Sequence, residues 1–181
     1  MPTGFHVLDK ITSGWQNSDF ITIGARPAMG KTAFSLSCLL KSSLNHDKKT
    51  AFFSLEMSHT QLTTRLLSAH AEIESQKLKT GNLSEFEWQK LKESVDILQS
   101  QNIFFDDTAG LDIQEMKMKA RKLKDMHDID MINVDYMQLM SAKIKGNREQ
   151  EIGYISRHLK EIAKELDIPV IALSQLRQCK Y

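Results

Sequence analysis

The chain has 181 residues, and its 24 lysine and arginine residues nearly balance its 23 aspartate and glutamate residues, leaving a net charge of +1. With 41% hydrophobic and 26% charged residues, the composition predicts one ordinary globular domain and excludes a disordered or collagen-like chain. The near-zero net charge excludes a general attraction to nucleic acids or membranes, so any site for a polyanion must be a local patch.

The ends and the cysteines of the sequence bear on its cellular location. No apolar run approaches the roughly 18–20 residues that a membrane-spanning helix needs, and the N-terminal residues lack the basic and apolar regions of a secretion signal. Cys38 and Cys179 lie far apart and lack the spacing of metal ligands. We therefore expect a cytoplasmic protein without a disulfide framework or a zinc site.

Five short apolar runs are typical of buried strands, and longer segments with helical periodicity separate most of them. The runs cover residues 20–24, 50–55, 102–105, 131–134 and 169–173. Nearly continuous apolar strands favour a parallel sheet that is covered on both faces. The alternation predicts an α/β fold, a mainly parallel sheet with helices on both faces, in which ligands bind beyond the carboxyl ends of the strands.

The helical segments carry start signals and apolar stripes. Ser58 with Gln61, and Ser84 with Glu87, have the spacing of a capping box, in which side chains bind the free amides of a first helical turn. Three stripes repeat at helical spacing and are expected to face the core. They are Trp88, Leu91, Val95 and Leu98; Ile113, Met116, Ala120 and Leu123; and Ile152, Ile155, Leu159, Ile162 and Leu166.

The segment after the first strand fits the phosphate-binding loop of P-loop proteins except at its first position. Its residues are Ala25, Arg26, Pro27, Ala28, Met29, Gly30, Lys31 and Thr32. In such a loop the backbone amides surround a phosphate, the lysine reaches the β- and γ-phosphates, and the hydroxyl binds Mg²⁺. Ala25 replaces the usual glycine, and a left-handed conformation there would cost about 1–2 kcal/mol. The loop avoids that cost if it turns differently or if Gly24 supplies the flexibility.

Polar side chains follow four of the predicted strands. Asp135 ends the fourth strand, the position of the Walker B carboxylate that holds Mg²⁺. Glu56 ends the second strand, where it either activates water or lies near the start of the next helix. Asp106 and Asp107 end the third strand and are competing candidates, although a solvated turn is the favoured interpretation. Gln175 follows the last strand and has an amide suited to the γ-phosphate.

Taken together, these motifs resemble the RecA-like motor domain of the replicative DNA helicases of the DnaB family. That family commonly has alanine at the first position of the phosphate loop, as this chain has at Ala25. The resemblance spans nearly the whole chain in ordered motifs. They lie at residues 2–5, 8–9, 12–14, 24–32, 53–58 with Gln61, Leu62 and Arg65, 135–140, and 168–176.

The resemblance implies a role for each matched residue. Lys31 and Thr32 would bind phosphate and Mg²⁺, Glu56 would activate water, Asp135 would hold the metal, and Gln175 would sense the γ-phosphate. It also implies Mg²⁺-dependent ATP hydrolysis coupled to translocation on single-stranded DNA and to duplex unwinding. Such helicases are homo-hexameric rings with ATP between subunits, and their replication partners include primase and a helicase loader.

Residues 1–181 are expected to form a RecA-like ATPase core without the N-terminal helicase domain and without the C-terminal end of the motor domain. That end would carry the arginine finger, which contributes a factor of about 10³–10⁵ in related phosphate chemistry. We therefore expect weak activity or none from the isolated chain. Two alternatives stay open: a non-catalytic nucleotide-binding fragment that modulates a full-length helicase, and another RecA-like ATPase of the RadA or KaiC type.

Two groups of cations are candidates for DNA contacts. Lys143, Lys145 and Arg148 follow the fourth strand, in the loop that faces the central channel in the resembled family, and an ordinary solvated loop is an equal alternative. The second group lies on a predicted helix opposite an apolar stripe, so a solvated helix face is the favoured interpretation. Its members are Lys117, Lys119, Arg121, Lys122 and Lys124.

Overall fold

A computed structural model describes residues 1–142, 144 and 147–176 of the chain. Five parallel strands form one sheet in the order β1-β5-β4-β2-β3. The strands are β1 (Phe20–Ala25), β2 (Thr50–Ser54), β3 (Ile103–Asp106), β4 (Met131–Asp135) and β5 (Val170–Gln175). All five predicted strands are thus confirmed, with ends that differ by one or two residues.

Seven α-helices connect or precede the strands. They are α1 (His6–Thr12), α2 (Lys31–His46), α3 (His59–Ala71), α4 (Ser75–Thr80), α5 (Glu85–Gln99), α6 (Ile113–His127) and α7 (Arg148–Leu166), and a short 3₁₀-helix covers Met137–Leu139. The sequence analysis missed α1 and α4 because helices of seven and six residues are too short to display an apolar period. None of the helices in the described part of the chain has the length and apolar character needed to cross a membrane.

The sheet has a hydrophobic cluster on each face, which confirms the predicted α/β architecture. On one face Ile132 and Val134 of β4 pack with Met116 of α6 and Ile155 and Leu159 of α7. On the other face side chains of α2 and α3 cover the strands, and the residues in this cluster include Leu36, Leu39, Leu62, Leu66, Phe52 and Ile171. Both sides of β2, β4 and β5 are therefore withdrawn from water.

One predicted core stripe is wrong. On α5, Trp88 is 52% exposed, and the buried residue of this helix is Ser94. The Ser94 hydroxyl lies 2.9 Å from Nδ1 of His70 on α3. The helix therefore packs on α3 as an outer layer instead of packing directly on the sheet, so the stripe at 88, 91, 95 and 98 is only partly covered.

Capping side chains set the starts of the longer connecting helices. Both predicted capping boxes form, at Ser58 with Gln61 and at Ser84 with Glu87. A third, formed by Asn147 and Gln150, opens α7. This box starts α7 at Arg148, several residues before its apolar stripe begins.

Candidate functional site

A cavity of about 500 Å³ opens at the carboxyl edge of the sheet. The ends of β1, β2 and β5, the start of α2 and one face of α3 line it. Its lining residues are Arg26, Pro27, Ala28, Gly30, Lys31, Thr32, Glu56, Met57, Gln61, Arg65 and Gln175. The cavity therefore lies at the edge of the sheet where parallel α/β folds bind their ligands.

The loop between β1 and α2 turns at positions other than the one expected from the sequence. Ala25 is the last residue of β1, where it pairs with Gln175, and it is not among the residues with positive φ. The left-handed positions are instead Ala28, with φ 62°, and Gly30, with φ 82°. The expected strain at Ala25 is thus absent, and the cost of a left-handed residue other than glycine falls on Ala28. Neither Ala25 nor the exposed Met29 lines the cavity.

The N-terminus of α2 points its free amides towards the cavity. Helix α2 begins at Lys31 after the left-handed Gly30, and within the described chain no side chain caps its first turn. Uncapped amides and the positive end of the helix dipole together attract an anion. The start of a 16-residue helix therefore supplies a phosphate-binding element without any charged side chain.

A lysine, a threonine and an aspartate meet at the floor of the cavity. The Thr32 hydroxyl donates to Oδ2 of Asp135 at 2.6 Å, and Lys31 Nζ lies 3.5 Å from Oδ1 of the same carboxylate. Asp135 has no exposed surface, and its Oδ1 accepts no hydrogen bond from the described residues. A buried carboxylate oxygen without a donor is costly unless a cation compensates it, so this oxygen and the Thr32 hydroxyl fit a hard divalent cation such as Mg²⁺.

Tyr136 forms a wall beside this cluster, and the sequence analysis did not identify it. The Lys31 Nζ lies 4.5 Å from the centre of the Tyr136 ring, a distance at which the ring face attracts a cation. Burial, together with the negative charges of Glu56 and Asp135, raises the pKa of the Tyr136 hydroxyl above its ordinary value. Tyr136 is therefore neutral at physiological pH and helps to fix the position of the lysine.

Glu56 is held in a tight turn between β2 and α3. The Ser54 hydroxyl donates to the Met57 carbonyl at 2.7 Å and accepts from the Met57 amide at 3.1 Å, which closes the turn around Glu56. The Leu55 amide donates to the Asp135 carbonyl at 2.7 Å, which ties this turn to β4. Because α3 begins after the cap residue Ser58, Glu56 lies outside its first turn. Its side chain lines the cavity instead.

The two acids after β3 lie away from the cavity lining and have structural partners. Asp106 pairs with Lys119 at 2.8 Å, and Asp107 accepts from the His59 amide at 2.8 Å at the start of α3. Although partial burial alone would raise the pKa of Asp106, the Lys119 ion pair and hydrogen bonds from Thr108 hold it below its ordinary value. These contacts agree with the favoured interpretation of a polar turn.

The candidate DNA-binding cations differ in what the structure describes. Lys143 and Lys145 lie outside the described residues. The Arg148 guanidinium contacts the Glu151 carboxylate and the carbonyl of Gln138, and it lies 3.3 Å from the carbonyl of Met140. Arg148 is thus engaged with the turn after β4, although its side chain is 41% exposed.

The cations of α6 are mostly paired with acids, as a solvated helix face requires. Lys117 and Arg121 both contact Glu165 of α7. Lys119 bridges Asp106 and Glu115, and Lys124 pairs with Asp128. This pairing leaves little free positive charge for a polyanion, in agreement with the favoured interpretation.

Three further residues of the cavity wall were not among the predicted site residues. Met57 follows Glu56, and Gln61 and Arg65 project from α3. The spacing of four residues between Gln61 and Arg65 was the available signal, because it places both on one face of a helix. Their direction towards the phosphate loop depends on the packing of α3 against α2, which no local pattern encodes.

Residues 1–180 match the family model for the DnaB-like helicase C-terminal domain. The chain is 47% identical over 178 residues to the replicative DNA helicase DnaC of Bacillus subtilis, a match that covers 97% of this chain and 39% of that protein. It is 45% identical over 178 residues to the replicative DNA helicase DnaB of Geobacillus stearothermophilus, with the same coverage of 97% and 39%. The chain thus spans about two fifths of the length of these relatives.

Two solved structures share the fold. One is a DnaB-like replicative helicase, described together with its interactions with primase, with a TM-score of 0.91 at 37% identity over 97% of this chain and 43% of that one. The other is the ATPase domain of a second protein, with a TM-score of 0.93 at 37% identity over 98% of this chain and 64% of that one. These matches favour the DnaB interpretation over the RadA or KaiC alternative. The chain belongs to the DnaB-like helicase C-terminal domain family, and its fold is the RecA-like fold of helicase motor domains.

Proposed function

We propose that this chain is the ATPase motor core of a replicative DNA helicase. The observation that carries the proposal is the meeting of Lys31, Thr32 and the buried Asp135 below an uncapped helix N-terminus. A triphosphate would lie against the loop amides and the Lys31 ammonium, where the negative charge of the phosphates is neutralised. The 500 Å³ cavity has the size of ordinary small-molecule sites.

Thr32 and Asp135 would hold Mg²⁺ in this proposal. The Thr32 hydroxyl and Oδ1 of Asp135 are the oxygen ligands that Mg²⁺ prefers. When bound, the ion supplies positive charge that stabilises the phosphate oxygens. Lys31, within 3.5 Å of the same carboxylate, keeps that buried negative charge compensated when the ion is absent.

Glu56 and Gln175 would act on the γ-phosphate side of the cavity. Glu56 is the acid in the cavity lining, and it would accept a proton from the attacking water. Gln175 ends β5, and its neutral amide would donate to a γ-phosphate oxygen. The rigid turn around Glu56 and the strand end at Gln175 would fix both groups before nucleotide binds.

The proposal extends to DNA and to partner proteins through the family. We propose that ATP hydrolysis drives movement along single-stranded DNA and duplex unwinding within a homo-hexamer in the cytoplasm. Lys143 and Lys145 would contact DNA phosphates. A primase and a helicase loader are the proposed partners, and the name of a solved relative, which mentions its interactions with primase, supports the first of them.

ATP hydrolysis with and without single-stranded DNA tests the proposed function. We expect turnover by the unaltered chain that rises when DNA is added, and loss of that turnover in Lys31→Ala, because the variant removes the main phosphate-binding charge. Equal turnover in the unaltered chain and in Lys31→Ala would contradict the proposal. Nucleotide binding without turnover, even with a full-length helicase added, would support the modulator alternative.

A further inference from the structure

Strand β5 loses its neighbour on one side before it reaches the cavity. Its pairing with β4 extends only as far as Val134 beside Ala172, because the chain after Asp135 leaves the sheet. On its other side, β5 pairs with β1 as far as Ala25 beside Gln175. The end of β5, which brings Gln175 to the cavity, therefore has backbone support from β1 alone.

The side chain of Gln138 occupies the place of the missing strand. Its Oε1 accepts the Gln175 amide at 3.2 Å, and its Nε2 lies 3.4 Å from the Gln175 carbonyl and donates to the Ser174 hydroxyl at 2.7 Å. One carboxamide thus offers Gln175 both an acceptor and a donor, as the backbone of a neighbouring strand would. The Leu176 amide donates to the Ala25 carbonyl at 3.0 Å on the opposite side.

The backbone of Gln138 is itself held in place. Gln138 lies in the 3₁₀-helix Met137–Leu139, and the Arg148 guanidinium contacts its carbonyl. The neighbouring Met137 is buried in the core between the sheet and α7. The carboxamide therefore projects from a turn that is anchored on both sides, which limits its own freedom to move.

We propose that Gln138 is a positioning residue that sets the place of Gln175 for the γ-phosphate. This inference rests on the proposed function, because it presupposes that Gln175 contacts a nucleotide. Without the carboxamide, the amide and carbonyl of Gln175 would lose their partners on the β4 side, and the end of β5 would be free to shift. A displacement of about an ångström is sufficient to weaken a directed hydrogen bond. ADP, which lacks the γ-phosphate, would not report that shift.

The test compares binding of an ATP analogue that resists hydrolysis with binding of ADP, both with Mg²⁺, by calorimetric titration. We expect Gln175→Ala to lower the preference for the analogue about ten-fold or more, since a hydrogen bond to a charged group is lost. Gln138→Ala should lower it by a similar factor and leave ADP affinity unchanged. The double variant should be no worse than Gln175→Ala alone, because both changes remove the same interaction.

Two further variants separate positioning from general destabilisation. Gln138→Glu keeps the size of the side chain but presents an oxygen to the Gln175 carbonyl, so we expect it to lose the preference as well. Gln89→Ala makes the same change at an exposed position on α5 and should change neither affinity.

Several outcomes would overturn the inference. They are an unchanged preference in Gln138→Ala or Gln138→Glu, equal losses for ADP and the analogue, or additive losses in the double variant. An unchanged preference in Gln175→Ala would also overturn it, because Gln138 would then have nothing to position. Absence of any nucleotide binding by the unaltered chain would instead contradict the proposed function itself.

Discussion

Asp135 has the most constrained environment of the residues in the site. Its carboxylate is fully buried, accepts one hydrogen bond from Thr32, and keeps a second oxygen that faces Lys31 at 3.5 Å. An uncompensated buried carboxylate would destabilise the fold by several kcal/mol. The lysine and the threonine therefore stabilise the folded chain as well as forming the proposed binding site.

Glu56 provides the most direct test of the chemistry at the level of single residues. Glu56→Gln removes the proton acceptor and keeps the shape of the side chain, so we expect nucleotide binding to persist while turnover falls about 10²–10⁴-fold. Steady-state ATP hydrolysis measured beside nucleotide affinity checks this. Asp107→Asn is the matched control, because that acid lies at the start of α3 and not in the cavity. Equal effects of the two changes would contradict the role of Glu56.

At the level of secondary structure, sequence patterns predicted what local periodicity encodes. The five strands and the stripes of α6 and α7 follow from apolar spacing, and the capping boxes follow from the positions of Ser58 and Ser84. The stripe of α5 was misjudged because α5 packs on another helix, a long-range outcome that periodicity cannot specify. The contacts of Tyr136 and Gln138 were also missed, since they depend on how the chain turns after β4.

The contrast between α7 and α5 is testable with two matched isoleucines. Ile155 of α7 is fully buried in the core, whereas Ile97 of α5 is 43% exposed. We expect Ile155→Ala to lower the free energy of unfolding by about 2–5 kcal/mol, because it leaves a cavity. Ile97→Ala should cost about 0.5 kcal/mol or less. Chemical denaturation of both variants checks the contrast, and equal losses would contradict the outer position of α5.

The junction of α6 and α7 predicts a loss of stability in acid. The Arg121 guanidinium, together with Lys117, holds the pKa of Glu165 at about 2, below its ordinary 4.5. A carboxylate whose pKa falls on folding stabilises the chain fully above pH 4.5, and this contribution is lost as the pH drops towards 2.

Thermal unfolding between pH 7 and pH 2 measures that contribution. We expect Glu165→Gln to lower the melting temperature at pH 7 and to reduce its further fall in acid, because the titrating carboxylate is gone. Glu161→Gln, at a solvent-exposed position of the same helix, is the control. An identical pH profile for Glu165→Gln and the unaltered chain would show that the junction does not contribute.

At the scale of the whole molecule, the net charge of +1 requires that any attraction to DNA be local. The cations of α6 are largely paired with acids, and Arg148 is engaged with the turn after β4. Lys143 and Lys145 are therefore the proposed phosphate contacts. They follow β4 in sequence, the same strand that ends at Asp135.

The salt dependence of single-stranded DNA binding tests this assignment. Replacing Lys143 and Lys145 together by alanine should reduce the slope of log affinity against log salt by about 1.4, since each phosphate contact on a single strand contributes about 0.7. Arg148→Ala is the comparison, and we expect it to lower thermal stability while the slope stays the same. An unchanged slope in the double lysine variant would contradict the assignment.

The binding of ATP with and without Mg²⁺ tests the central claim most directly. Calorimetric titration of the unaltered chain should show ATP affinity at least about ten-fold higher with Mg²⁺ than with a chelator, because two oxygen ligands await the ion. Asp135→Asn should abolish that difference and leave ATP binding without Mg²⁺ largely intact. No ATP uptake by the unaltered chain, or an undiminished effect of Mg²⁺ in Asp135→Asn, would contradict the account.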